Sequence, residues 1–111
     1  LKKLNYLDLS QNDLNGEIPS WIGELPDLVT LWLSYNQFTS VHPAIGNLSN
    51  LRYLFLNNNL FKEIPEEIGL LFSLEVLNLS DNNIEAIPES IGSLSKLKYL
   101  NIASNFLEHL P

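Results

Sequence analysis

The 111-residue chain has no cysteine and no methionine, and only six basic residues stand against 13 acidic ones, for a formal net charge of −7. Without cysteine, the chain has no disulfide, no thiolate metal site and no cysteine nucleophile. Its acidic balance argues against nucleic acid and anionic membrane surfaces as partners, because both attract basic proteins. No apolar run approaches the roughly 20 residues that a membrane span needs.

An initiator methionine and a signal peptide are also missing, and both ends, "LKKL" and "LEHLP", fall inside a repeating pattern. We therefore expect a fragment of a longer chain, with capping units in the parent protein. The missing targeting signals consequently say little about compartment.

A repeat of 23 or 24 residues organises the whole chain, which we interpret as one domain over residues 1–111. The units span residues 4–27, 28–50, 51–73, 74–96 and, in part, 97–111, and residues 1–3 end a preceding unit. Their opening stretches are "LNYLDLSQNDL", "LVTLWLSYNQF", "LRYLFLNNNLF", "LEVLNLSDNNI" and "LKYLNIASNFL".

The common pattern, L-x-x-L-x-L-x-x-N-x-L followed by x-x-I-P-x-x-I-G-x-L, resembles the leucine-rich repeat family along all 111 residues. The first unit, with "LNGEIPSWIGEL", is similar to the plant receptor type. The later units are similar to the 23-residue type of bacterial and scaffold proteins. The resemblance implies an α/β leucine-rich repeat solenoid. It would have a curved parallel β-sheet on the concave side and short helices or 3-10 turns on the convex side.

Alternation along a strand explains the pattern, because every second residue points to the same face. We expect the inward positions to be Leu7, Leu9, Leu14, Ile18 and Ile22 of the first unit and their equivalents, including Leu100 and Leu110. Stacked units can bury these residues, whereas a single unit cannot.

Pro19, Pro65 and Pro88 are expected in the first turn of short outer helices, where proline loses no needed hydrogen bond. The second unit has His42 at the proline position and Pro43 one residue later, so we predict a local irregularity there.

Asparagine recurs where each strand ends. Because its side chain both donates and accepts, a stacked column can satisfy the backbone groups of the turns. The predicted structural column is Asn12, Asn36, Asn59, Asn82 and Asn105.

No pattern of catalytic, cofactor-binding or metal-binding residues is present. His42 and His109 occupy different repeat positions and lie almost three units apart, so they cannot share a metal or catalytic site, and both are predicted at the surface. An enzyme is not expected, and any catalytic domain would lie outside this segment. Two N-glycosylation acceptors, Asn47-Leu48-Ser49 and Asn78-Leu79-Ser80, arise readily from the repeat, and their occupancy stays open.

The concave strand positions carry the candidate site, because solenoids commonly bind through this extended surface. Trp32 and Phe55 should be neighbours on adjacent strands, about 4.8 Å apart. Such a patch favours partner binding, and cross-strand packing is the alternative. The predicted partner-binding residues are Tyr6, Asp8, Trp32, Tyr35, Tyr53, Phe55, Asn78, Tyr99 and Asn101.

The predicted function is recognition of a protein or peptide by part of a receptor-like or surface protein, with no small-molecule substrate. An intracellular signalling scaffold and a passive solenoid spacer are the alternatives. The receptor resemblance favours the cell surface over the cytoplasm, and partner, organism and oligomeric state stay open.

Overall fold

The computed structural model describes residues 3–108 and shows one strand per unit in a five-stranded parallel sheet. The strands are β1 (Tyr6–Asp8), β2 (Asn15–Ile18), β3 (Thr30–Trp32), β4 (Gln37–Val41), β5 (Tyr53–Phe55), β6 (Val76–Asn78) and β7 (Tyr99–Asn101). β1, β3, β5, β6 and β7 lie side by side in that order. The 3-10 helices are η1 (Ser20–Glu24), η2 (Pro43–Asn47), η3 (Glu66–Leu70) and η4 (Glu89–Ser93). The predicted solenoid, with a parallel sheet and short helices, is confirmed.

The core lies between the sheet and the 3-10 helices. The middle residues of the central strands, Leu31, Leu54 and Leu77, are completely buried, as are Ile45 and Ile68 of the helices. Burying each such side chain contributes roughly 1.5–3 kcal/mol before entropy is counted. The two-residue period of the strands therefore fixes which face of the sheet packs inward.

At the two ends of the stack, the predicted burial is incomplete. Leu14 and Leu100 are each 37% exposed, so their prediction as core residues is wrong. Leu7 and Leu9 are only partly buried. The reason is that, within residues 3–108, no further unit packs against these outer sides. The predicted positions of Leu110 and His109 lie outside the described residues.

The prolines precede the outer helices instead of beginning their first turn, so that prediction is wrong. Pro19, Pro65 and Pro88 are N-cap residues with extended backbone, and the helix starts one residue later. Each helix begins two residues before its central isoleucine, and these prolines lie three residues before it. The proline fixes φ just before the helix instead.

The predicted irregularity at His42 is also wrong. η2 has the same five-residue length as the other helices, with Ile45 at the same buried position. His42 caps it, because its Nδ1 accepts the Ala44 N–H at 3.0 Å, a bond that proline cannot make. Pro43 then occupies the first helical position, which needs no N–H.

Glycine follows the central isoleucine of each helix, and in η1, η2 and η3 the next helix nearly touches it. A Cβ added to Gly69 would lie 2.5 Å from the Ser90 Cβ, and one added to Gly23 would lie 2.5 Å from the Ala44 carbonyl oxygen. Within the described residues, Gly92 has no such neighbour. The glycines therefore set the spacing of the outer side of the stack.

The asparagine column links each unit to the one before it. Asn59 accepts the Phe38 N–H at 3.1 Å through Oδ1 and donates to the Leu33 carbonyl at 3.0 Å through Nδ2. Asn36, Asn82 and Asn105 repeat this arrangement. Asn12 is exposed, and among the described residues its side chain donates only to the Leu9 and Ser10 carbonyls of its own unit. Losing one buried member would leave backbone groups unsatisfied, at a cost of about 1–3 kcal/mol.

A second, two-stranded sheet flanks the first and was not predicted. β2 and β4 pair in parallel, and the register shifts between Gly16 and Glu17, opposite Thr39. Gly16 has a φ of +79°, which its lack of a Cβ allows.

Candidate functional site

The register of the sheet places one concave position of every unit in a single row. Asp8 pairs with Trp32, Trp32 with Phe55, Phe55 with Asn78, and Asn78 with Asn101. A second row runs parallel to the first and contains Tyr6, Thr30, Tyr53, Val76 and Tyr99. We call this surface the concave face. Eight of the nine predicted partner-binding residues therefore lie in two adjacent rows.

Trp32 and Phe55 form an aromatic stack at the centre of the concave face. Their ring centroids are 3.7 Å apart and the ring planes differ by 12°. Both side chains are partly buried. A cross-strand aromatic pair contributes roughly 0.2–1 kcal/mol, so packing against each other holds the two rings in place. We call the exposed part of these two rings the aromatic platform.

The polar members of the same row have a structural task. Asp8 Oδ1 accepts the Ser10 N–H at 2.9 Å, and Asn78 and Asn101 accept the equivalent N–H of Ser80 and Ala103, each at 3.0 Å. Each side chain thus closes the turn that follows its own strand. The hydroxyl and the N–H of Ser10 lower the pKa of Asp8 below its usual value.

Units two and three cannot make this bond, because tryptophan and phenylalanine offer no acceptor. Among residues 3–108, the backbone N–H groups of Ser34 and Asn57 make no hydrogen bond to a side chain or to another backbone group. The buried Oδ1 of Asn57 also lacks a hydrogen-bond partner there. The aromatic platform thus replaces a hydrogen bond that the other units make.

Tyr35, the ninth predicted residue, lies in the turn after β3 and not on the strand. Its φ is 57°, in the left-handed region, like its equivalents Gln11, Asn58, Asp81 and Ser104. Asparagine and aspartate tolerate this region best, whereas an aromatic residue is uncommon there. The side chain is exposed, which places the tyrosine at the rim of the concave face.

A row of charges that the sequence reasoning missed borders the strands. Arg52 Nε donates to Glu75 Oε2 at 2.7 Å, and Lys98 Nζ lies 3.5 Å from Glu75 Oε1. Arg52 lies over the Tyr53 ring at 5.4 Å. The Arg52 guanidinium lowers the pKa of Glu75. The Arg52 side chain is 49% exposed, so solvent screens the pair and it contributes little to stability. The alternating signs at the second position of three successive units were the signal.

Other kinds of site find no support in the part of the chain that the structure describes. No group of three or more histidine, aspartate or glutamate side chains in residues 3–108 could hold a metal ion. Within the same range, no helix is long and apolar enough to cross a membrane.

Comparisons with known proteins agree with this architecture. The family model described as "Leucine-rich repeat region" matches residues 39–111, and "Leucine Rich Repeat" matches residues 3–25 and 27–48. The chain is 53% identical over 45 residues to Receptor like protein 22 of Arabidopsis thaliana; the match covers 40% of this chain and 6% of that protein. It is also 53% identical over 38 residues to the Arabidopsis receptor protein-tyrosine kinase CEPR2, covering 34% and 4%.

Among solved structures, the chain is similar to the leucine-rich repeat ectodomain of the Arabidopsis receptor kinase GASSHO1/SCHENGEN3, bound to CASPARIAN STRIP INTEGRITY FACTOR 2. The TM-score is 0.89 at 43% identity, over 96% of this chain and 13% of that one. The peptide hormone receptor RGFR1, in complex with RGF2, matches with a TM-score of 0.87 at 35% identity, over 94% and 17%. This chain therefore corresponds to a small part of each relative. The family models together cover nearly all of its length, and the chain belongs to the leucine-rich repeat family.

Proposed function

We propose that this segment is a recognition module that binds an extended peptide, or an extended segment of a protein, across its concave face. The observation that carries the proposal is the Trp32–Phe55 stack at the centre of that face. Tryptophan and tyrosine are the residues most often found at interface hot spots. Tyr53 lies beside the stack, and Tyr6 and Tyr99 are exposed in the same row. Together these side chains give the face several aromatic contact points.

The hydrogen-bonding groups of the face suit a peptide backbone. Asn78 uses its Oδ1 for Ser80, and its Nδ2 makes no hydrogen bond within the described residues, so this group can donate to a peptide carbonyl. Its strand neighbour Phe55 can bind an apolar side chain of the same peptide. An apolar anchor with an adjacent polar contact fixes both the position and the orientation of a ligand.

The similar receptors support this proposal, because two of them were solved in complex with CASPARIAN STRIP INTEGRITY FACTOR 2 and RGF2. By the same likeness we propose that the segment is displayed at the outer surface of a cell as part of a receptor-like protein. Binding, and not catalysis, is the role assigned to this segment. The charge of −7 favours ligands that are neutral or basic.

The proposal can be tested by selecting binders from a random peptide library displayed on phage and measuring their affinities by calorimetry. Trp32→Ala is expected to lower the affinity for a selected peptide by about 30-fold or more, which corresponds to a hot spot of about 2 kcal/mol. Trp21→Ala is the matched control, because Trp21 is an exposed tryptophan of the outer helix η1. It should leave the affinity within about threefold, as non-hot-spot positions do.

Two results would contradict the proposal. One is that selected peptides bind Trp32→Ala as tightly as the unchanged chain, and the other is that the library yields binders only to the outer side. Either would favour the spacer interpretation for the concave face. Circular dichroism of each variant must show a folded chain at the temperature of the measurement.

A further inference from the structure

The chain carries an exposed apolar pair that neither the core nor the concave face explains. Leu70 ends η3 and is 48% exposed, and Phe72 in the following turn is 58% exposed. In the unit after, the equivalent positions are occupied by Ser93 and Ser95, both exposed. Serine is therefore compatible with the fold at this place. The fold itself therefore does not explain why unit three has apolar side chains at these two exposed positions.

In the unit before, the same two positions are Asn47 and Ser49, the first and last residues of a glycosylation acceptor. Asn47 is the last residue of η2, exposed, and its side chain makes no hydrogen bond within residues 3–108. Leu70 lies close by, since a Cβ on Gly46 would be only 3.1 Å from its Cδ1. The acceptor and the apolar pair thus lie side by side on the outer surface.

We propose that Asn47 carries an N-linked glycan whose first sugars cover Leu70 and Phe72. In the transfer, Asn47 Nδ2 bonds to the anomeric carbon of an oligosaccharide linked to a polyprenyl pyrophosphate. The bond from that carbon to the pyrophosphate oxygen breaks, and the amide loses one proton to the transferase. Sugar rings have an apolar face, and burial of that face against phenylalanine and leucine is favourable.

The second acceptor, Asn78, has the opposite environment. It lies in β6 in register with Phe55, and its Oδ1 accepts both the N–H and the hydroxyl of Ser80, the hydroxyl residue of its own acceptor. A glycan there would stand on the concave face beside the aromatic platform. The inference therefore assigns the glycan to Asn47 and leaves Asn78 unmodified. It requires passage through the secretory pathway but does not depend on peptide binding.

The test is to secrete the chain, behind a cleavable signal peptide, from plant cells and to map glycans by mass spectrometry of proteolytic peptides. The expected result is a glycan on the peptide that contains Asn47 and an unmodified peptide containing Asn78. Asn47→Gln and Ser49→Ala should each remove the glycan mass completely, whereas Asn78→Gln should leave the glycan mass unchanged. An unmodified Asn47, or a glycan found on Asn78, would overturn the assignment.

A second measurement tests the covering of the apolar pair and distinguishes it from a glycan that merely projects into solvent. Enzymatic removal of the glycan should increase the fluorescence of a dye that binds exposed apolar surface. The variant Leu70→Ser with Phe72→Ser, which copies unit four, should abolish that increase. If deglycosylation leaves dye binding unchanged in the chain with Leu70 and Phe72, the proposed contact is wrong.

Discussion

One strand position is aromatic in units two and three and polar in units one, four and five. The polar residues Asp8, Asn78 and Asn101 each accept a hydrogen bond from the backbone of the following turn. Trp32 and Phe55 make no such bond, and they stack on each other instead. The turns nevertheless have a left-handed residue at the same repeat position in all five units. The bond is thus not required for the turn to form, and the two rings in its place are the basis for the proposed peptide-binding site.

The largest effect on stability is expected from Phe55→Ala. This change removes a partly buried ring that is also the stacking partner of Trp32. We expect the free energy of unfolding to fall by about 2 kcal/mol, less than the roughly 3–5 kcal/mol lost with a fully buried ring. Tyr6→Ala, an exposed aromatic residue of the same face, should change stability by less than about 0.5 kcal/mol. Urea unfolding measures both, and equal losses would show that the stack contributes nothing.

Asn78→Ala should cost about 1 kcal/mol, because the Ser80 N–H and hydroxyl lose their shared acceptor. Asn78→Asp keeps an acceptor oxygen and should recover most of this loss at neutral pH. Equal stability of Asn78→Ala and the unchanged chain, again in urea unfolding, would show that this bond contributes nothing to the stability of the folded chain.

Replacing the aromatic residue of unit three by a polar one separates the contribution of the ring from that of the turn hydrogen bond. Phe55→Asn gives the Asn57 N–H the acceptor that Ser80 has in unit four, so this variant should be more stable than Phe55→Ala by about 0.5–1 kcal/mol. The comparison of the two variants by thermal unfolding checks this. A Phe55→Asn variant no more stable than Phe55→Ala would mean that the turn of unit three differs from that of unit four.

The smallest effect concerns pH, since only unit one has a titratable residue in this row. The Ser10 bonds hold the pKa of Asp8 below its value in the unfolded chain, so their stabilisation is present above that unfolded value. It is lost as the pH falls through the lower folded value. Asp8→Asn keeps the acceptor and should flatten the stability profile in the acid range below about pH 4, the usual pKa of an unfolded aspartate. An unchanged acid slope would contradict this.

The repeat period was enough to predict the sheet, its register and the pairing of Trp32 with Phe55, because one strand per unit leaves no other arrangement. Burial at Leu14 and Leu100 was mispredicted, since these residues lie in the first and last of the described units, each of which packs against only one other described unit. The cap formed by His42 and the second sheet depend on local backbone geometry that the pattern does not encode. The turn bonds of Asp8, Asn78 and Asn101 could have been predicted from the Asx preference for turns.

The most direct test of peptide binding at the aromatic platform uses the two tryptophans of the chain, one on each side of the solenoid. Trp21→Phe leaves Trp32 as the reporter, and Trp32→Phe keeps an aromatic platform but leaves Trp21. When a library-selected peptide is titrated into each variant, we predict a shift in the emission of Trp32 and no shift in that of Trp21. A shift of Trp21 alone would place the peptide on the outer side and contradict the account.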